Sequence, residues 1–69
     1  MKHRLQVASV PDRDEPVVEI WVGDDMWCEI RLEDDRPRVQ IFSRENEPWD
    51  FDLEEVRELL ERGRQEVMA

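Results

Sequence analysis

The sequence has little of what catalytic and metal sites usually require. Its 69 residues include one cysteine, one histidine, two glycines and no tyrosine. A single Cys28 excludes an internal disulfide, and His3 has no cysteine near it in sequence, which argues against a zinc site with nitrogen and sulfur ligands. Ser9 and Ser43 have no partner base for nucleophilic catalysis. We therefore expect no catalytic residue, no metal ligand and no bound cofactor, and the chain is predicted not to be an enzyme.

Long apolar segments are also missing. No run approaches the roughly 18 apolar residues of a membrane-spanning helix, and residues 1–4 are not followed by the apolar core of a secretory signal. Cys28 falls on the predicted core side of a strand, which is typical of a buried, inert thiol. We therefore predict a protein of the reducing cytoplasm that makes no membrane contact.

Basic residues are outnumbered by acidic ones. The chain has 10 Lys and Arg against 19 Asp and Glu, a formal net charge of −9. Phosphate backbones are bound by clustered Lys and Arg, whereas here the basic residues are scattered among acids. The composition argues against nucleic acid as a partner and favours a basic protein. A charge of this sign also keeps a small protein soluble, so both interpretations stay open.

The length predicts one small domain over residues 1–69, since a chain this short buries only about 60% of its unfolded surface. Alternation with period two predicts strands at 17–23, 26–33 and 38–43, and a weaker alternation predicts a first strand at 4–10. Residues 11–16 are a predicted loop because they contain two prolines. The expected fold class is α+β, a three- to four-stranded antiparallel β-meander packed on one C-terminal α-helix.

A capped amphipathic pattern predicts the helix over residues 52–63 or 52–67. Asp52 and Glu55 have the spacing of a capping box, and Phe51 can pack onto Val56. Either the helix ends at Gly63, or this glycine allows close approach to the sheet and the helix continues to about residue 67. The apolar stripe at helical spacing consists of Leu53, Val56, Leu59, Leu60, Gly63 and Val67.

Alternation also sorts the sheet side chains onto two faces. The face expected beneath the helix holds Val18, Ile20, Val22, Cys28, Ile30, Leu32, Val39 and Ile41. The opposite face carries charges and also large aromatic residues, a combination typical of contact surfaces. The predicted interface residues on that face are Val17, Glu19, Trp21, Trp27, Glu29, Arg31 and Phe42.

The connections set the predicted registers. For Ile20 and Cys28 to share a face, the loop between their strands must have an odd length, and a three-residue loop would set Trp21 opposite Trp27. A four-residue connection at 34–37 would pair Leu32 with Val39, Ile30 with Ile41 and Glu29 with Phe42. Trp49, which precedes the helix, is expected to cover one end of the core.

Residues 17–61 contain the segments VEIWVGDDMWCEI, VQIFSRENEPWDFDL and LEEVRELLE. In these segments the chain resembles small bacterial proteins described as uncharacterised β-meander-plus-helix domains. The resemblance implies the same α+β fold and supplies no activity, cofactor or binding residues. Some tiny acidic proteins of this build act as immunity proteins or antitoxins, so it also implies an inhibitory role.

Two hypotheses of function follow. In the first, a binding module inhibits or escorts a protein through the aromatic sheet face, with Trp21, Trp27 and Phe42 as anchors and the charged residues of that face setting orientation. In the second, the same face packs against its own copy, and the resulting homodimer enlarges a thin core. A DNA-mimic inhibitor is a third alternative, disfavoured by the intervening arginines. The expected partner is a protein, either the chain itself or a basic protein.

Overall fold

The computed structural model describes residues 2–9, 15–45 and 47–69. The elements in chain order are β1 (His3–Ala8), β2 (Val17–Val22), β3 (Asp25–Glu33), β4 (Arg36–Ile41) and α1 (Leu53–Met68). The strands form one antiparallel sheet in the order β1-β2-β3-β4. The predicted α+β meander with one helix is therefore confirmed. The predicted strand end at Val10 and residues 11–14 of the predicted loop lie outside the described residues.

The β3–β4 connection is shorter than predicted. It is a two-residue turn of Asp34 and Asp35, whose φ angles are 54° and 63°. Positive φ at both positions is the pattern of a type I′ turn, which matches the twist of a hairpin, and Asp tolerates this backbone better than most residues. The three pairs predicted from a four-residue connection are therefore wrong. The observed pairs are Leu32 with Pro37, Ile30 with Val39 and Cys28 with Ile41.

The β2–β3 hairpin also departs from its predicted register. Ile20 pairs with Cys28, as the shared face required, but Trp21 pairs with Met26, so the register shifts by one residue. Trp27 is the extra residue of a β-bulge, and the turn itself has two residues. The predicted three-residue loop and the pairing of Trp21 with Trp27 are wrong. The extra residue that the shared face requires lies inside β3, as a bulge, and not in the turn.

The helix begins as predicted and takes the longer of the two predicted lengths. A side-chain oxygen of Asp52 accepts a hydrogen bond from the backbone N–H of Glu55 at 3.1 Å. Gly63 lies within α1 and is buried. A Cβ atom at Gly63 would overlap Cδ1 of Ile30. The missing side chain therefore lets the helix backbone lie close to the sheet.

The helix covers the middle of the sheet and leaves its margins exposed. The buried core consists of Val18, Ile20, Trp27, Cys28, Ile30, Leu59 and Val67. The expectation that α1 covers the aliphatic face is confirmed for β2 and β3. It is wrong for Val39 and Ile41 of β4, which are 47% and 57% exposed. The physical reason is width: strands lie about 4.8 Å apart and a helix with side chains is about 10 Å across, so one helix cannot cover four strands.

Replacing Gly63 with Ala tests the contact between helix and sheet. Alanine adds about 0.8–1 kcal/mol of helix propensity, but its methyl group overlaps Ile30, and overpacking typically costs about 1–3 kcal/mol. We expect the steric cost to prevail and the free energy of unfolding in urea to fall. Ile30→Val removes Cδ1, so Gly63→Ala should be neutral or stabilising in that background. Equal effects in both backgrounds would contradict this placement of the helix.

Candidate interaction surfaces

Trp27, a predicted anchor of the aromatic surface, lies in the core. Its side chain is 4% exposed, and its ring meets Phe51 edge to face with 4.7 Å between the ring centroids. The bulge turns the side chain toward the face that the helix covers, because a bulge re-aims the residue it adds. Val17 is also buried, at 2% exposure. The prediction that these two residues form part of an exposed surface is therefore wrong.

Trp21 lies on the uncovered face of the sheet, among polar neighbours. The Arg4 guanidinium lies 5.2 Å from the centroid of the Trp21 ring, and Trp21 Nε1 donates a hydrogen bond to Glu19 at 3.1 Å. A cation over an aromatic ring stabilises by roughly 0.5–1 kcal/mol at exposed sites. Side chains of the same sheet thus hold this half-buried aromatic ring in place, without a second protein.

Two of the predicted orienting residues face each other at the centre of that face. Glu19 pairs directly with Glu29 across β2 and β3, and like charges in this position destabilise an antiparallel pair. Within the described ranges neither carboxylate forms an ion pair. Arg31 instead donates to Gln40 at 3.3 Å and approaches Glu33 at 3.5 Å. The centre of the uncovered face therefore carries two opposed carboxylates, of which Glu19 accepts a hydrogen bond from Trp21 Nε1.

Phe42 is connected through its backbone to a cluster of aromatic residues at one end of the core. Its N–H donates to the Trp27 carbonyl at 2.9 Å, and its carbonyl accepts a hydrogen bond from Trp49 Nε1 at 2.8 Å. Trp49 stacks on Phe51 with 5.6 Å between centroids, and the Arg44 guanidinium lies 4.3 Å from the Trp49 ring centroid. The expectation that Trp49 covers one end of the core is confirmed. The aromatic residues predicted as one surface lie in separate environments.

A different surface joins exposed apolar side chains to an open strand edge. Between β4 and α1 lies a shallow cavity of about 180 Å³, lined by Ile30, Pro37, Arg38, Val39, Leu60 and Arg64. Leu53 is 67% exposed and lies two helical turns before Leu60 on the same helix face. We call this surface the β4 groove and define it by Pro37, Val39, Ile41, Leu53 and Leu60. Sequence reasoning missed it, although Pro37 is a signal for an edge strand.

The backbone of β4 is open on the side away from β3. Phe42 directs its N–H to Trp27, and the direction of these groups alternates along an antiparallel strand. Pro37, Val39 and Ile41 therefore point their backbone groups outward. Pro37 has no N–H, so the edge offers one donor fewer, a common feature of edge strands. Among the described residues, no hydrogen-bond partner lies opposite the N–H and C=O of Val39 and Ile41 or the C=O of Pro37.

Cys28 is fully buried on the covered face, and burial raises the pKa of its thiol to about 12. The thiolate is the nucleophilic form of cysteine. At neutral pH the Cys28 thiol is therefore protonated and shielded, which makes it a packing residue of the core.

Metal sites and membrane-spanning helices are the other features that bear on function in the ranges 2–9, 15–45 and 47–69. No group of three His, Cys, Asp or Glu side chains in these ranges could hold a metal ion. None of the helical structure described there is long and apolar enough to cross a membrane. Comparisons with protein-family models, curated proteins and solved structures found no match.

The two sheet tryptophans should differ sharply in their contribution to stability. Removing a buried Trp side chain typically costs about 3–5 kcal/mol, a large part of the roughly 3–10 kcal/mol expected for a domain of this size. We therefore expect Trp27→Ala to be mostly unfolded and Trp27→Phe to be folded but clearly destabilised in urea. Trp21→Phe, the matched control, should change the free energy of unfolding by less than about 1 kcal/mol. Similar losses for both Phe variants would contradict the buried position of Trp27.

Cys28 should make stability depend on alkaline pH. The unfolded thiol ionises near its ordinary pKa of 9.0, whereas the folded thiol holds its proton to about 12. The unfolded state is therefore favoured increasingly as pH rises from 9 toward 12, and the contribution is fully present below pH 9. Cys28→Ala removes this contribution, so the difference in free energy of unfolding between wild type and variant should shrink across that range. A difference that is constant with pH would contradict it.

Proposed function

We propose that this chain is a small, non-enzymatic protein-interaction module that binds through the β4 groove and the open edge of β4. The observation that carries the proposal is that Val39 and Ile41 are about half exposed side by side on an edge strand. Pro37 blunts this edge at one position only, and contiguous exposed apolar side chains such as those of Val39 and Ile41 mark contact sites. A chain of 69 residues has few apolar groups to leave uncovered without a use.

Strand addition is the mode of recognition that this surface suits. In that mode a partner strand pairs with a free edge, so main-chain hydrogen bonds supply affinity and alternate side chains supply specificity. The outward N–H and C=O groups of Val39 and Ile41 supply the main-chain hydrogen bonds. The alternate side chains of Val39 and Ile41 supply the specificity: Val39 lines the cavity together with Leu60, and Ile41 is exposed on the same side of the strand.

A second candidate is the uncovered sheet face, with Glu19, Trp21, Glu29 and Arg31 as contacts. The opposed carboxylates of Glu19 and Glu29 support it, because a basic side chain from a partner would relieve their repulsion. The net charge of −9 would steer a basic partner toward the chain, and salt would slow that association. Binding of this kind suits a role as an inhibitor or immunity protein.

Photocrosslinking in cells that produce the protein tests the proposal. A photoreactive amino acid is placed at Ile41 in the β4 groove, at Glu29 on the uncovered face, or at Gln65 on the outer side of α1 as a matched exposed control. We expect discrete protein adducts at Ile41 well above those at Gln65, because the groove would lie in the interface. Adducts at Glu29 alone would favour the second candidate. Adducts at neither position above the Gln65 level would contradict both candidates.

A further inference from the structure

We infer that a second copy of this chain occupies the β4 groove, so that the β4 strands of two copies pair antiparallel about a twofold axis. The inference rests on the proposed function and names its partner. Isologous contacts of this kind require a surface that complements itself. In β4 this requirement applies to the register of the paired strands, to the charges and to the apolar side chains.

The backbone limits the registers to a few. Because Pro37, Val39 and Ile41 point outward, the paired segment must place odd-numbered residues opposite odd-numbered ones. Centring the axis on Arg38 sets two arginines directly opposite each other, which is repulsive. Centring it on Gln40 brings Arg36 level with Arg44 of the other copy. Centring it on Val39 avoids both contacts.

With Val39 on the axis, every arginine of β4 meets an uncharged residue. Arg38 lies opposite Gln40 of the second copy, and Arg36 lies opposite Phe42, whose ring can accept a cation. The acidic turn at Asp34 and Asp35 comes level with residues 43–44 of the second copy, which include Arg44. This register therefore avoids every contact between arginines of the two edges and brings the acidic turn of each copy near residue 44 of the other.

The same register satisfies most of the free backbone groups. The two Val39 residues exchange both N–H···O bonds, and each Ile41 N–H meets the C=O of Pro37 in the other copy. The missing N–H of Pro37 leaves one Ile41 carbonyl unpaired at each end of the paired segment, where water can reach it. The apolar side chains of both copies then form one continuous row on the helix side of an extended sheet.

Sedimentation velocity over a concentration series tests the inference. Val39→Lys puts two ammonium groups together on the axis, and we expect the dimer dissociation constant to rise about tenfold or more. The matched control is Val7→Lys, the same change at an equally exposed position of the other edge strand, β1, and on the same sheet face. It should leave dimerisation unchanged. Thermal melts followed by circular dichroism are the control for folding, and both variants should unfold cooperatively.

Gln40 tests the register itself. Gln40→Glu places a carboxylate opposite Arg38 of the second copy, so the dimer should tighten severalfold although both chains become more acidic. Gln40→Arg places like charges opposite each other and should weaken it. A nonspecific charge effect would move the two variants in the reverse order, because each chain already carries −9. That reverse order would overturn the register.

The remaining outcomes separate this inference from the proposed function. A protein that stays monomeric at several hundred micromolar overturns the dimer, while adducts from Ile41 to a different protein would still support the interaction module. A dimer that survives Val39→Lys but is lost in Trp21→Ser places the interface on the uncovered face and overturns the inference. A dimer lost in Val39→Lys and kept in Val7→Lys supports it.

Discussion

The contact between Gly63 of α1 and Ile30 of β3 fixes where the helix lies on the sheet. It brings the helix backbone down over the two central strands, where the fully buried aliphatic side chains are found. Four strands span about 14 Å between their outer axes, more than one helix of about 10 Å can cover. The close fit at the centre therefore leaves both margins open, with Val7 exposed on β1 and the β4 groove exposed on the other side.

The order and type of the elements could be predicted because the signals for them are local. Alternation assigns faces within a strand, and the Asp52 and Glu55 spacing marks the start of the helix. The turn at Asp34 and Asp35 could not be predicted in this way, since the following Pro37 favours a longer loop over a strand. Proline is compatible with β4 only because its nitrogen points to the open edge. That direction is set by the strand order and register of the whole sheet, which local sequence signals do not give.

The candidate surfaces were harder to predict because they depend on one inserted residue in β3 and on which strands the helix covers. Trp27 counts as an outward residue in any unbroken alternation, and a bulge of one residue moves it into the core. Trp21 is outward as expected, but Arg4 from the weakest predicted strand lies over its ring. Val39 and Ile41 are exposed because one helix is narrower than the four-stranded sheet. The alternation of residues within a single strand does not indicate that difference in width.

Each strand of the meander pairs with its neighbour in sequence, and two-residue turns join three of the strands. Such local contacts need little loop closure, which favours rapid formation of the sheet. Whenever α1 is detached from the sheet, the aliphatic face of β2 and β3 is exposed, and the acidic turns and the charged side chains of the opposite face then disfavour aggregation.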